Sequence, residues 1–286
     1  MNFVQYFEPN EKGRDFVVGD VHGYFDQLYV LLNHVKFDKQ VDRLFSCGDL
    51  VDRGPHSMEC AQLICEPWFH CVTGNHEQMM AHALKFNDAM NYNNWIYNGG
   101  HWYESLGQQD RKECSFLSDE MNNLPLVIVV GKDTKDRFNI VHGELTRYRW
   151  VAPSGFVAED ITDNCIDDWT FNEDDIQDMT WGRKNLLKYK SSTLYGNTNL
   201  VHPTFQTEQL SLTYCGHNVM KHKPVVIGRQ MYIDQGSGFG LINTNLTIAE
   251  PKQKRTFIYN FQDESVYSLP YRMIQNYTEK FGEYDD

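Results

Sequence analysis

Three short glycine-opened loops most constrain what this chain of 286 residues can fold into. They are Gly19-Asp20-Val21-His22-Gly23, Gly48-Asp49-Leu50-Val51-Asp52-Arg53-Gly54 and Gly74-Asn75-His76-Glu77, and a short apolar run precedes each of them. Asp20 and Asp49 are 29 residues apart, and Asn75 follows 26 residues later. This spacing is the length of one strand–helix unit. Three such units place the carboxyl ends of their strands side by side, where open α/β sheets bind ligands.

The loops carry oxygen and imidazole donors but no thiolate. Asp20 and Asp49 offer carboxylates, His22 offers an imidazole and Asn75 an amide oxygen. Such donors suit borderline to hard divalent ions, Mn²⁺ above all, with Fe or Zn as alternatives. A pair of ions about 3.5–4 Å apart needs a bridging carboxylate, because an anion must offset their repulsion. The sequence therefore predicts a divalent metal site at these strand ends.

The same three loops resemble the metallophosphoesterase superfamily, and within it the serine/threonine protein phosphatases of the lambda-phage type. That family shows GDxHG, then GDxVDRG, then GNHE, and all three motifs stand in this chain. The resemblance runs from about residue 16 to residue 236 and is tightest over residues 19–80. It implies an α/β fold, the calcineurin-like αββα sandwich, in which helices flank central mixed sheets. It also implies a single metallophosphoesterase domain over residues 1–286.

The resemblance implies a set of ligands for two divalent metal ions, with Asp49 as the bridge. The implied ligands are Asp20, His22, Asp49, Asn75, His142 and His217. His142 follows an apolar run and precedes Gly143, and His217 lies in the sequence YCGHN. A hydrogen-bonded loop residue is the alternative for each of these two histidines. The earlier loops leave ligand positions to fill, which favours metal binding.

Four residues have predicted catalytic roles. By the resemblance, His76 is the general acid that protonates the leaving oxygen. Asp52 could hold the His76 imidazole protonated and oriented, as acid–base pairs require. Arg53 can bind phosphate oxygens through its planar guanidinium, and Arg183 matches a phosphate-binding arginine that the family carries on a tryptophan-containing loop. The alternatives are a surface salt bridge for Asp52 and Arg53, and a solvated side chain for Arg183.

Three positions depart from the family pattern. Thr73 stands before GNHE, where these phosphatases commonly carry arginine, so we expect either weaker contacts to phosphate or peptide or a shifted substrate preference. Asn218 follows His217, where threonine is usual, and is expected to change only the hydrogen bonds around the ligand. Glu144 places a carboxylate two residues after His142, and the sequence assigns it no role. None of the three is a proposed metal ligand.

The net charge of the chain is −13, from 26 basic and 39 acidic residues. Nucleic acids and anionic membranes bind basic surfaces, so we expect neither as a partner. An anionic substrate stays compatible with this charge, because bound metal ions reverse the local field. The resemblance implies a phosphorylated protein or peptide as the substrate. The sequence leaves the oligomeric state open, and a monomer is compatible with it.

The sequence points to the cytoplasm. Residues 1–13 are polar and lack the apolar region of a signal peptide. No run approaches the roughly 18 apolar residues of a membrane-spanning helix. The seven cysteines are an odd number at irregular spacing, which is typical of small buried side chains in a reducing compartment.

The periodicity of apolar residues gives a coarse layout. Helices are predicted over residues 25–35, from Pro55, and over residues 77–86 and 102–122. Strands are predicted over residues 126–130 and 138–141 as a hairpin, and then over residues 225–227, 231–233 and 256–261. Residues from about 144 to 210 are predicted to be a cap insertion that selects the substrate. An acidic C-terminal tail is expected from about residue 263.

The leading functional hypothesis is hydrolysis of phosphomonoesters on protein serine or threonine, with tyrosine as a further substrate, by a hydroxide that two metal ions activate. The alternative is a symmetrical diadenosine tetraphosphate hydrolase or another nucleotide phosphohydrolase. Relatives of that kind usually have alanine in the place of Asp52 and aspartate in the place of Glu77, so these two residues favour the protein phosphatase. A third hypothesis, from another class, is a binding module with an inactive site.

Overall fold

The computed structural model describes residues 3–86, 88–152, 155–185, 187, 209–240 and 243–276. The strands within those residues are β1 (Val4–Phe7), β2 (Asp15–Val18), β3 (Arg43–Ser46), β4 (Phe69–Cys71), β5 (Val127–Val130), β6 (Phe138–Val141), β7 (Tyr148–Val151), β8 (Gly155–Ala158), β9 (Leu212–Cys215), β10 (Val225–Ile227), β11 (Gln230–Tyr232), β12 (Asn245–Glu250), β13 (Arg255–Asn260), β14 (Val266–Pro270) and β15 (Gln275–Asn276). The α-helices there are α1 (Phe25–His34), α2 (Ser57–Gln62), α3 (Asn75–Phe86), α4 (Ala89–Tyr97), α5 (Gln108–Met121), α6 (Asp163–Asp167) and α7 (Glu173–Trp181). Strand and helix alternate from β2 to α3, as the loop spacing predicts.

Strands β2, β3 and β4 form the parallel part of one sheet, whose order is β14-β13-β12-β2-β3-β4. β2 pairs in parallel with β3, and β3 pairs in parallel with β4. On the other side of β2 the sheet continues with three antiparallel strands, β12, β13 and β14. The three glycine-opened loops therefore leave the sheet at the same edge, which confirms the predicted arrangement.

The second sheet has the order β1-β5-β6-β9-β11-β10-β15. Strands β5 and β6 form the predicted antiparallel hairpin, with Val127 opposite Val141. Strand β9 runs parallel to β6, with Val141 opposite Cys215. Because β6 and β9 point the same way, His142 and His217 follow them at a common edge.

The central strands of the second sheet, β5 and β6, bury both of their faces. Successive side chains of a strand point to opposite faces of the sheet. Val127 and Val129 of β5 therefore pack outward with Ile166 of α6 and Met179 of α7. Ile128 of β5 packs inward, in a cluster that also contains side chains of the first sheet. Residues of α1, α2, α3 and α5 cover the outer face of the first sheet. The layers are thus helix, sheet, sheet and helix, which confirms the αββα sandwich.

The strand ends of the two sheets meet at one rim. The Gly216 N–H donates to the carbonyl oxygen of His142 at 2.8 Å. A Cβ atom at Gly216 would lie 2.1 Å from Oδ1 of Asp20, so only glycine fits where the end of β9 meets the loop after β2. The His217 N–H then donates to both oxygens of the Asp20 carboxylate, at 3.1 and 3.0 Å.

Two of the predicted helices differ from those observed. Residues 102–122 do not form one helix, because a 3₁₀ helix (Gly100–Ser105) ends at Leu106 and α5 begins only at Gln108. Leu106 and Gly107 have extended backbone (ψ 140° and 168°), which interrupts the helical hydrogen bonds. The helix predicted to open at Pro55 begins at Ser57.

The predicted cap and tail are described only in part. Of residues 144–210, the hairpin of β7 and β8 and the helices α6 and α7 are described, and both helices pack on the outer face of the second sheet. Residues 186 and 188–208 lie outside the described residues, so the cap over the cleft stays a prediction. The acidic tail expected from residue 263 includes β14, which pairs with β13, and residues 277–286 lie outside the description.

Among the described residues, no helix combines the length and the apolar character that crossing a membrane would require.

Candidate metal centre

The loop after β2 presents His22 to the rim through a tight backbone turn. Its N–H and that of Val21 both donate to the carbonyl oxygen of Asp49, at 2.9 and 3.1 Å. His22 has a positive φ of 48°, and Gly23 follows with a φ of 71°. The His22 ring donates from Nδ1 to the carbonyl oxygen of Val51 at 3.0 Å, so its Nε2 lone pair points into the site.

A buried carboxylate, that of Glu77, joins the second loop to the third. Its oxygens accept hydrogen bonds from the backbone N–H groups of Asp49 and Leu50, both at 2.8 Å, and of Gly74 at 2.9 Å. Burial, together with the nearby charge of Asp49, raises the pKa of Glu77 to about 7. This side chain sets where Asp49 and Asn75 lie relative to each other.

Asp49 lies at the centre of the site. Its Oδ1 is 3.4 Å from Nε2 of His142, and its Oδ2 is 3.6 Å from Nε2 of His22 and 3.9 Å from Nε2 of His76. Burial alone would raise the pKa of Asp49, but the surrounding histidines, His142 foremost, outweigh it and hold that pKa well below its usual range. Asp49 is therefore an anion that faces imidazoles on both of its sides.

Two groups of donors share Asp49. One contains His22, Asp49 and His76, the other contains Asp49, His142 and His217, and the donor atoms in each lie within 4.8 Å of one another. Asp20 adjoins the first group, with its Oδ2 3.9 Å from Nε2 of His22. A carboxylate common to two groups is what a pair of metal ions requires, because it offsets the repulsion between the ions.

Several donor atoms in this centre lack a suitable partner within the protein. Nε2 of His217 is buried and makes no hydrogen bond. The His142 ring donates from Nδ1 to the carbonyl oxygen of Cys47 at 2.7 Å, so its Nε2 lone pair faces Oδ1 of Asn75 at 2.9 Å. Two acceptor atoms this close repel each other unless a cation lies between them. The residues present therefore fit divalent metal ions with oxygen and imidazole ligands.

The protonation of the histidines separates three of them from the fourth. Burial lowers the pKa of His22 and of His142, and it lowers the pKa of His217 to about 3. These three rings are neutral at pH 7, which is the form that binds a metal ion. Burial also acts to lower the pKa of His76, but the charges of Asp49 and Asp52 outweigh it and raise that pKa.

His76 is held by the buried carboxylate of Asp52. Its Nδ1 donates to Oδ2 of Asp52 at 2.6 Å. The same carboxylate accepts the indole N–H of Trp95 at 3.0 Å and that of Trp102 at 2.8 Å. With three N–H donors, Asp52 is fixed as an anion acceptor beside His76.

Sequence reasoning missed both tryptophans. Trp95 is fully buried on α4, a helix that was not predicted, and Trp102 lies on the 3₁₀ helix that was predicted to be α-helical. Gly99 and Gly100 lie between them in the chain, and the Gly99 carbonyl oxygen accepts the Arg53 N–H at 3.2 Å.

Arg53 lies over the ring nitrogens of two histidines. Its Nη1 donates to Nε2 of His22 and its Nη2 to Nε2 of His76, both at 2.9 Å. An imidazole nitrogen has one lone pair, so His22 cannot accept from Arg53 and bind a metal ion at the same time. A metal ion bound at Nε2 of His22 would therefore displace Arg53 from that nitrogen.

Arg183 lies at the opposite side of the centre. Its Nη1 donates to the carbonyl oxygen of His217 at 3.3 Å and to Oδ1 of Asn218 at 3.4 Å. Its side chain is exposed. The two arginines therefore flank the donor cluster, with Arg53 beside His22 and His76, and Arg183 beside His217.

The three departures from the family pattern are all buried. Thr73 is 4% exposed, and its N–H donates to the carbonyl oxygen of Pro125 at 2.8 Å. Glu144 and Asn218 are fully buried next to the two downstream histidines. A further buried carboxylate, Asp234, was not predicted, and burial raises its pKa to about 6.

The chain is similar in sequence to known phosphoesterases. The calcineurin-like phosphoesterase family matches residues 16–220 of the chain. The chain is 32% identical over 239 residues to serine/threonine-protein phosphatase 2 of Salmonella typhimurium, a match that covers 83% of this chain and 94% of that protein. It is also 39% identical over 82 residues to a symmetrical bis(5'-nucleosyl)-tetraphosphatase of Hamiltonella defensa, over 28% of this chain and 29% of that protein.

A solved structure has the same fold. The protein serine/threonine phosphatase from Saccharomyces cerevisiae matches with a TM-score of 0.53 at 15% identity, over 87% of this chain and 77% of that one. At that level of identity the likeness concerns the arrangement of the chain alone.

Proposed function

This chain belongs to the calcineurin-like phosphoesterase family, and we propose that it is a metal-dependent phosphatase that hydrolyses phosphomonoesters on protein serine and threonine, and also on tyrosine. One observation carries the proposal: the buried Asp49 carboxylate is shared by two groups of imidazole donors, and His76 beside it is held through Nδ1 by the Asp52 carboxylate at 2.6 Å. Neutral imidazoles suit metal binding, and a protonated imidazole suits general-acid catalysis.

The ligand assignments combine the two donor groups with the family pattern, which adds Asp20 and Asn75 as ligands and leaves His76 for acid catalysis. Asp20 and His22 would hold one divalent ion, Asn75, His142 and His217 would hold the other, and Asp49 would bridge them. When bound, two such ions make hydroxide available near neutral pH and polarise the phosphoryl oxygens. The oxygen and imidazole donors favour Mn²⁺, with Fe or Zn as alternatives.

His76 supplies the proton that the leaving oxygen needs. Its Nδ1 is held by Asp52 at 2.6 Å, so Nε2 is the atom that can donate. Arg53 now lies 2.9 Å from that nitrogen and opposes a proton there. A phosphoryl group that draws Arg53 toward its own oxygens removes this opposition, so phosphate binding and acid catalysis are coupled.

Two features favour a phosphoprotein over a dinucleotide. The phosphatase of Salmonella typhimurium is similar over 83% of this chain, whereas the tetraphosphatase of Hamiltonella defensa is similar over 28%. Asp52 accepts N–H groups from His76, Trp95 and Trp102, so the alanine that is usual in dinucleotide hydrolases would leave three donors without an acceptor. Hydrolysis of diadenosine tetraphosphate is the second candidate, which the shorter similarity supports.

The deciding experiment compares kcat/KM of metal-stripped, Mn²⁺-reloaded protein on a phosphoserine peptide and on diadenosine tetraphosphate. We expect the peptide to be preferred. A preference for the dinucleotide would establish the second candidate. Metal loading without turnover of any phosphoester would instead indicate a binding module, and a His76→Asn preparation controls for contaminating phosphatase.

A further inference from the structure

The buried carboxylate of Glu144 takes no part in the chemistry proposed above. It lies two residues after His142 and is fully buried. Its Oε1 and Oε2 accept the backbone N–H of Asn185 at 3.0 and 3.2 Å, and Oε2 also accepts the hydroxyl of Tyr232 at 3.2 Å. Tyr232 in turn accepts from Nδ2 of Asn185 at 3.3 Å. Glu144 therefore fixes the chain at Asn185.

Asn218 fixes the same segment three residues earlier. Its Nδ2 donates to the carbonyl oxygen of Gly182 at 2.8 Å. Gly182 itself packs tightly, since a Cβ there would lie 2.4 Å from the carbonyl oxygen of Asp178 and 2.9 Å from Cγ of Glu144. Residues 182–185, which we name the arginine turn, are thus held at both ends by buried side chains that follow His142 and His217.

The exposed side chains of the arginine turn are Lys184, which pairs with Asp178, and Arg183. Its guanidinium contacts the carbonyl oxygen of His217 and Oδ1 of Asn218, at 3.3 and 3.4 Å. These contacts use one nitrogen, Nη1. A guanidinium has five N–H donors, so the others are available for phosphoryl oxygens. A fixed backbone beneath an arginine reduces the entropy that is lost when the side chain binds its ligand.

We infer that Glu144 and Asn218 are positioning residues for Arg183, and through it for the phosphoryl group on the His217 side of the metal centre. The inference rests on the proposed phosphomonoester chemistry. A side chain with two oxygens suits the role of Glu144, because they serve a backbone N–H and a phenol at once. The two departures from the family pattern then have one shared purpose.

A double-mutant cycle tests the inference. Inorganic phosphate is titrated calorimetrically into Mn²⁺-loaded wild type, Glu144→Ala, Arg183→Ala and the double variant. We expect each single substitution to weaken phosphate binding by about 10-fold, the loss of one charge-assisted contact. The double variant should bind like Arg183→Ala, because Glu144 acts only through that arginine. An equal loss from Glu144→Ala in both backgrounds, or no loss in the wild-type background, would overturn the inference.

Further readouts separate positioning from damage to the metal site. Metal content must stay at the wild-type value in Glu144→Ala, and loss of metal would overturn the inference. With p-nitrophenyl phosphate, KM should rise by the same factor as the dissociation constant of phosphate, while kcat changes by less than about threefold. Glu144→Gln keeps one acceptor oxygen for Asn185 and should restore most of the phosphate affinity.

Asn218→Ala provides the same cycle from the other end of the arginine turn if Glu144→Ala does not fold. It frees the Gly182 carbonyl and should also lose its effect in the Arg183→Ala background. The cycle is measured by binding of inorganic phosphate and not by turnover of a peptide. If the protein hydrolyses diadenosine tetraphosphate instead, the proposed function is refuted. The phosphate-binding cycle then still tests whether Glu144 and Asn218 act through Arg183.

Discussion

The two ends of strand β6 place buried charges in opposite situations. Before the strand, Arg137 pairs with Asp167 at 2.8 Å and with Asp163 at 3.4 Å. After the strand, His142 faces Asn75 and Asp49 with a ring nitrogen that has no proton to donate. The charges at the first end satisfy one another, whereas the donors at the second end need a cation from outside the protein.

The comparison shows that a cavity by itself does not identify a functional site. A cavity of about 350 Å³ opens at the Arg137 end and is lined by Arg137, Asp163 and Asp167. Arginine there cancels the carboxylates, and the hydrogen bonds of Arg137 hold the pKa of Asp167 below its usual range against the effect of burial. At the other end burial, with the charges of Asp234 and Asp49, raises the pKa of Asp20 well above its usual range. The proposed metal centre lies at the end where the charges are left unbalanced.

The largest effect is expected from His76→Asn, which removes the proposed proton donor of the unbalanced end. It should keep the metal ions but lower kcat on a phosphoserine peptide by about 10²–10⁴, the usual contribution of a general acid. The loss should be smaller with p-nitrophenyl phosphate, whose leaving group hardly needs a proton. Steady-state kinetics on both substrates measures the difference, and equal losses would contradict the role of His76.

The next effect is expected from Asp20→Asn, which neutralises a ligand at the same end. Metal affinity should fall by at least about 100-fold, because loss of an outer partner alone typically costs about 10–100-fold. The metal-free protein should become more stable, by about 1 kcal/mol. An ionised Asp20 is unfavourable in the fold, as its raised pKa indicates, and asparagine removes that charge while still accepting the His217 N–H. Urea unfolding of both proteins in the presence of a chelator measures this difference in stability. A variant less stable than wild type would contradict the prediction.

The sequence predicts those residues of the site that a local pattern marks, and not those that only a distant contact brings there. Asp20, Asp49 and His76 follow glycine-opened strand ends, a local pattern that fixes both the fold and the place of the donors. Trp95 and Trp102 donate to Asp52 from 43 and 50 residues away, and nothing local to either tryptophan marks that contact. Contacts between residues that are far apart in the chain produce no periodic pattern in the sequence.

Two elements that the sequence analysis does not predict, β12 and α4, differ in whether a local sequence signal marks them. Strand β12 was not predicted, although all of its residues are buried. Its sequence, Asn245-Leu246-Thr247-Ile248-Ala249-Glu250, mixes polar with apolar residues and so gives no apolar run, although the strand pairs with β2 on one side and β13 on the other. Helix α4 begins at the capping side chain of Asp88, which accepts the Met90 N–H at 3.1 Å, a signal that was present but not used.

At the balanced end, Asp167→Asn is expected to have the opposite effect on stability to Asp20→Asn. Arg137 has a side chain only 6% exposed, and the substitution leaves its charge with Asp163 alone. We expect a loss of about 2 kcal/mol in the free energy of unfolding, within the range for a buried group that loses a charged partner. Activity should be unchanged. Urea unfolding measures the stability of the variant, and the phosphatase assay measures its activity. A loss of kcat would contradict the separation between the two ends of β6.

The smallest effect is the pH dependence of that loss, and its sign distinguishes the two ends. The folded-state pKa of Asp167 lies below the usual value of about 3.9, because the hydrogen bonds and charge of Arg137 outweigh burial. Its contribution is therefore complete above pH 3.9 and disappears as the pH falls through the folded-state value. The stability difference between wild type and Asp167→Asn should be constant from pH 5 to 7 and vanish in acid. Asp20 has a raised pKa, so the difference between Asp20→Asn and wild type should instead grow as the pH rises. Curves that run parallel for the two variants would mean that the charges at both ends of β6 are balanced alike.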